Sequence, residues 1–208
     1  MARATSGKDE RWLWYTPRTA DCLPLDPEAY PSTVYDGEVV PWPEWACKAP
    51  DGGIHVDARI AAIDVHLSRA PRGRDELTWT CDFQVLLATR NWLSQIEDLI
   101  DGQRVALGQV FVGGQILPDW ATINESRATR LFSSGGWSKV CPICGSIFSV
   151  LRGKVFFSDP RVQGRPLIIA SNEIMVREDE AIRRGLRTPI GAFKPSLVGL
   201  KRGGREPA

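Results

Sequence analysis

The apolar positions change rhythm along the chain, and each change predicts a different kind of element. Between Arg11 and Gly53 aromatic and aliphatic residues stand singly or in pairs, cut by prolines at 17, 24, 27, 31, 41, 43 and 50. Proline fixes φ and removes a backbone donor, so this part is expected as turns and short extended pieces rather than helix. "IHVDARIAAIDVHLSR", Ile54 to Arg69, mixes alternating with continuous apolar residues, and periodicity leaves strand and short helix both open. "LTWTCDFQVLLAT", Leu77 to Thr89, is rich in β-branched and aromatic residues and predicts a strand. The spacing of Trp92, Leu93, Ile96, Leu99 and Ile100 then predicts a helix over residues 91–100, stopped by Gly102, with "RVALGQVFV" as the next strand.

The same order of signals returns near the end. "PLIIAS" predicts a strand closing on Ser171 as a helix N-cap. "NEIMVREDEAIRR" follows with Ile174, Met175, Ala181 and Ile182 on one helical face, and Gly185 stops it. "LLAT" matches "LIIAS", Arg104 matches Arg187, and Gly102 and Gly108 match Gly185 and Gly191 at the same spacing of six. The expected fold class is therefore α+β: two similar strand-helix-strand units packed with antiparallel strands, preceded by a loop-rich Pro/Trp part. Residues 1–76 form that N-terminal region, with a loose polar start over 1–8; 77–200 form the α+β region, and 201–208, "KRGGREPA", a flexible basic tail. All of it is expected in one domain, since 208 residues bury a substantial core unaided by metal or disulfide.

Composition narrows the function classes. With 26 basic against 25 acidic residues the formal charge is +1, so no global field draws in nucleic acid or an anionic membrane. The start of the chain has charges but no apolar signal core, and no run is long enough to span a bilayer, which makes the cytoplasm the expected compartment. Eight tryptophans are many for this length. Most are expected to fill a loop-rich core, with Trp42, Trp45 and Trp120 as candidate surface anchors for a partner.

The chemistry concentrates in "WSKVCPICGSIFSV". Cys141 and Cys144, with Pro142 between them and Gly145 behind, have the spacing at which a tight turn brings two thiolates to one tetrahedral metal ion. The flanking "SKV" and "SIFSVL" predict a β-hairpin carrying this knuckle. No cysteine or histidine follows, so partners must come from upstream: Cys22, Cys47, Cys81, His55, His66 or a carboxylate. Cys47 is best placed, in the loop-like "WACKAPDGGIH", with His55 close behind it. Cys81 lies in an apolar strand and reads as core, and His66 as a residue of an element face. The metal ligand set is thus Cys141, Cys144, Cys47 and His55, for one structural zinc ion. Five cysteines without an export signal read as reduced thiols or ligands before they read as disulfides. A metal-free turn is the competing reading of the knuckle. A redox pair is another, although that chemistry calls for a helix N-terminus behind the first cysteine.

With these landmarks the chain resembles the bacterial double-CXXCG-motif proteins, a family linked to immunity against polymorphic toxins. "VCPICG" stands in the position of the family's second motif. "VLLATRNWLSQIEDL" precedes it, and "GRPLIIASNEIMVREDEAIRRGLRTPIGAFKP" resembles the family's ending, over roughly residues 80 to 200. The first motif should lie in the N-terminal part, where the nearest equivalent is Cys47 with Pro50 and Asp51 behind it. One thiol of that pair is missing. If the family's site is a four-cysteine zinc site, this chain keeps at most three of its ligands.

No nucleophile elbow, metalloprotease helix, phosphate loop or dinucleotide fingerprint is present, and carboxylate pairs such as Glu178 and Asp179 read as a solvated helix face. The expected function is non-enzymatic: a cytoplasmic protein-binding protein of the immunity type, with a cognate protein toxin as partner, acting by occlusion and needing no membrane and no nucleic acid. Two alternatives stand beside it. A zinc-ribbon-like nucleic-acid-binding protein would use Lys139, Arg152 and Lys154 around the knuckle; a thiol oxidoreductase would need an acidic thiol at Cys141.

Overall fold

The computed structural model describes residues 11–15, 22–35, 37–48, 54–72, 76–81, 83–102, 104–126, 131–133, 138–149, 155–157, 165–170, 173–186 and 191–193. The polar start, the basic tail, Ser171, Arg152, Lys154 and Arg187 lie outside them.

A five-stranded sheet organises the rest. Its order is β6 (Val65–Leu67), β9 (Val105–Val112), β10 (Gln115–Glu125), β8 (Leu86–Thr89) and β7 (Leu77–Trp79), antiparallel except for the parallel β6–β9 pair. Side chains alternate across it, and both faces are covered. Leu86, Ala88, Val105, Ala121 and Ile123 enter one core, while Leu87, Val110 and Trp120 enter another. The first core is shared with a four-stranded antiparallel sheet, β15 (Leu167–Ala170), β16 (Glu173–Arg177), β1 (Trp12–Tyr15) and β17 (Gly191–Phe193). Tyr15, Leu167, Ile169, Ile174 and Val176 fill it from that side. The second core is roofed by the N-terminal part, with Leu23, Leu25 and Trp45 buried and Tyr30 packed against them, and is joined by Phe83 from between β7 and β8.

The expected α+β class is therefore wrong: the described residues are mostly β, with two short α-helices, α1 (Arg90–Leu93) and α2 (Glu178–Arg183). The apolar spacing at 91–100 is satisfied differently. Thr89 caps α1 by accepting from the Trp92 N–H, and the helix ends at Ser94. Ile96, at φ −124°, breaks the helix before a 3-10 turn at Glu97–Leu99. Trp92, Leu93 and Ile96 still reach the core. In the second unit the disagreement is larger, because 173–177 form a strand instead of a helix. Ile174, Met175 and Val176 are all buried, and they pair on one side with β15 and on the other with β1, more than 150 residues away. That pairing overrides local propensity, as a central strand buried on both faces gains more than a surface helix would.

The two supposed repeats consequently lie in different sheets with different topology. Their opening strands, β8 and β15, agree, and so do their stops, with Gly102 at φ 68° and Gly185 at φ 66°, values that favour glycine. The segment 77–89, expected as one strand, is the hairpin β7–β8, and 54–69 holds two strands, β5 (Ile54–Val56) and β6, joined by a loop. No helix among the described residues is long and apolar enough to cross a membrane. Of the three candidate surface anchors, Trp45 and Trp120 are buried and Trp42 is half-buried.

Two close contacts lock the layers. Ile63 presses its carbonyl onto the middle of the five-stranded sheet, where the Thr122 hydroxyl donates to it at 2.5 Å while accepting from the Gly108 N–H at 3.0 Å. A Cβ on Gly108 would stand 2.0 Å from that carbonyl oxygen. Between the sheets, the buried Glu125 carboxylate at the end of β10 accepts from the Ile169 N–H of β15 at 2.9 Å and pairs with Arg165 at 2.9 Å and Arg104 at 3.3 Å. It thereby satisfies an edge-strand donor that would otherwise be buried unpaired.

Gly108→Ala should destabilise the fold by about 1–3 kcal/mol, since the backbone it meets cannot rotate away. Urea titration with a fluorescence readout, aided by the buried Trp92, measures it. Glu125→Gln keeps the shape but removes the charge between two arginines, and the same titration should show a loss of about 3 kcal/mol.

Candidate metal centre

Two hairpins meet at the site. β4 (Ala46–Lys48) and β5 pair antiparallel, with Cys47 directly opposite His55. Cross-strand partners point to the same face, with Cβ atoms about 5 Å apart, so the register alone delivers one thiol and one imidazole as a unit. The second hairpin, β12 (Ser138–Val140) and β13 (Ile147–Ser149), carries the knuckle at its turn, as the sequence predicts. There the Gly145 N–H donates to the Cys141 carbonyl at 2.9 Å, the Cys141 N–H donates to the Ser146 carbonyl at 2.7 Å, and Gly145 takes φ 76°.

All four residues named from the sequence come together. Cys47, His55, Cys141 and Cys144 have their ligand atoms within 4.8 Å of one another. They are 4%, 8%, 2% and 9% exposed. His55 directs Nε2 at Cys144 Sγ, 3.2 Å away, and Cys47 Sγ lies 3.9 Å from Cys141 Sγ. A tetrahedral ion with bonds of about 2.0–2.3 Å holds its ligand atoms about 3.6–3.8 Å apart, so the set fits with small adjustments. Four protein ligands leave no open position for substrate, the arrangement of a structural rather than a catalytic ion.

The electrostatics agree with that reading. Burial, with the neighbouring Cys144 and Cys141 thiols adding to it, pushes the Cys47 thiol up to about 12. For Cys141 burial works in the same direction, but the N–H groups of Cys144 and Ile143 aimed at its sulfur outweigh it and lower the thiol below its ordinary value. Such a pocket accommodates several thiolates only with a cation among them, which would deprotonate them outright.

The scaffold reaches back from the site into the second core. Trp45, two residues before Cys47, donates its indole N–H to the Asp64 carbonyl at 2.8 Å and packs edge-on against Phe83 at 5.0 Å. Behind His55, Asp57 is buried and ion-paired with Arg59, whose hydrogen bonds hold its carboxyl below the usual range. Residues 60–64 are then fastened to the sheet by the Asn124 amide on the Ile60 carbonyl at 2.8 Å and by the Thr122 and Asp64 contacts. None of these supporting residues is marked by a motif. They become visible only once the strand pairing is known.

The remaining sequence candidates lie elsewhere. Cys22 and Cys81 are joined as a disulfide, in contrast to the reduced thiols expected, and Cys81 is exposed in a turn rather than in the core. The isolated bridge Leu23↔Thr80 sets them side by side. His66 stacks on Phe111 at 4.5 Å, and Glu178 and Asp179 are ion-paired with Arg11 and Arg177. The C-x-x-C turn lies between two strands, and although its N–H groups lower the Cys141 thiol, that sulfur belongs to a residue only 2% exposed with no helix N-terminus behind it, unlike an accessible redox nucleophile. The chain matches no protein-family model and no curated protein.

Elemental analysis of protein purified without chelator should find about one metal ion per chain, falling to near zero in Cys141→Ala and in His55→Ala. A Cys22→Ser/Cys81→Ser double variant should keep the ion. An ion retained in Cys141→Ala and His55→Ala would lie outside this cluster.

Proposed function

We propose that this chain is a non-enzymatic protein-binding protein of the immunity type, that its ion is a structural zinc, and that it neutralises a cognate protein toxin by occlusion. The observation that carries the reading is the pairing of the C-x-x-C-G knuckle with Cys47 and His55. The resemblance to the double-CXXCG proteins left this chain one thiol short in its N-terminal half, and His55 stands where a further ligand is needed. Three thiolates and one imidazole are a donor set that zinc favours among the common divalent ions, through ligand softness and tetrahedral geometry. A closed site of this kind supplies rigidity rather than chemistry. Occlusion needs a rigid surface that covers a partner's site, with affinity from buried apolar anchors and specificity from charge.

The test is protection. Expressed with the toxin encoded beside its gene, the chain should restore growth and co-purify in a stoichiometric complex that lacks toxin activity. Cys141→Ala should lose both zinc and protection. A chain that gives no protection, or that recovers nucleic acid with a steep salt dependence instead of a protein, would overturn the proposal.

A further inference from the structure

One element stands apart from both cores. β2 (Ser32–Tyr35) and β3 (Glu38–Pro41) form a two-stranded hairpin turning through Gly37, which takes φ 83°. Its base is firm: the Trp42 N–H donates to the Pro31 carbonyl at 2.6 Å, Tyr30 packs edge-on against Trp45, and Trp42 packs edge-on against Phe83. Beyond the base, Val34 and Val39 are direct cross-strand partners, 64% and 72% exposed. The other large apolar residues exposed among the described ones are scattered, Ile116 on β10, Ile143 in the knuckle turn and Ile182 on α2. A paired apolar face on a protruding hairpin invites association, because its outer strand edges also carry backbone donors and acceptors.

Charge says what kind of association. Residues 19–47 contain Asp21, Asp26, Glu28, Asp36, Glu38 and Glu44 and no lysine, arginine or histidine, in a chain whose formal charge is +1. The basic excess therefore lies entirely outside this segment. Outside this segment six acids, Asp57, Asp98, Glu125, Glu178, Asp179 and Glu180, are ion-paired with arginines. Among the described residues, Asp26, Glu28, Glu38 and Glu44 have no ion-pair partner, and the three glutamates are exposed. Like charge on both sides opposes the pairing of two copies through this hairpin and favours a basic surface opposite it.

We infer that the β2–β3 hairpin is the docking element of this protein, placing the Val34–Val39 face in an apolar depression of a partner protein whose rim is basic. This inference rests on the protein-binding reading above and adds to it the interface and the charge of the partner. The hairpin hangs on Trp42, Trp45 and the β4 strand that carries Cys47, so the metal centre steadies the base from which it projects.

A photo-crosslinking residue placed at Val39 of the full chain, and in a parallel sample at Ile116, tests this in the cells the chain comes from. The Val39 probe should crosslink one protein, within a lysine- and arginine-rich surface, and the Ile116 probe should not. Val34→Asp/Val39→Asp and Glu38→Lys should each weaken capture of that protein about tenfold or more without changing the melting temperature. If the partner is captured undiminished by these variants, the hairpin is not the interface while the protein-binding reading stands. A neutral or acidic crosslinked surface, or a second copy of this chain, would also overturn the inference. No crosslink from Val39 would overturn the inference alone, and crosslinks to nucleic acid alone would sink both readings.

Discussion

A sheet covered on both faces has to find two partners, and in this molecule that requirement sets the position of everything else. Leu86, Leu87 and Ala88 are consecutive and all buried, so neither side of β8 can be left to water. One side is closed by the β15–β16–β1–β17 sheet and the other by the N-terminal part. Prolines and tryptophans suit the second task. The segment need only lie across a sheet, and short extended pieces stapled by aromatic rings do this without regular structure of their own.

This double burial also explains which elements were legible in the sequence. Amphipathic alternation marks a sheet with one wet face, and that signal is missing here. "LIIA" and "IMV" are continuous apolar runs that fit a buried strand as well as a helix, and the acidic "REDEA" behind the second favours helix over "IMV" and "REDEA" together. What decides the matter is β1, whose partner strands lie at the opposite end of the chain. Local signals did hold where turn chemistry acts alone, as at the hairpin of "VCPICG" and at the glycines 102 and 185.

The candidate site was more legible than the fold. Thiols and imidazoles are few in this chain, five and two, so the missing ligands of a half-site could be sought by elimination of contexts. The cysteine pair at 141 and 144 needs no tertiary knowledge, because two residues of spacing are enough. Cys47 and His55 depend on register: a slip of one residue in β4–β5 would turn one of them to the other face of the hairpin. The Cys22–Cys81 pairing was hidden for a related reason, since a single bridge between Leu23 and Thr80, in segments without periodicity, brings the two sulfurs together.

That disulfide encloses a covalent ring of the chain, from Cys22 to Cys81, and within it lie the projecting hairpin and half of the metal cluster. The exposed turn at Gly37 is where a protease would find the backbone. A single cut there in the oxidised protein opens the ring without separating the chain, for the strands on either side stay connected through the sulfurs. Nicked and intact molecules keep the same mass but for one water, and they part only when a reductant is added.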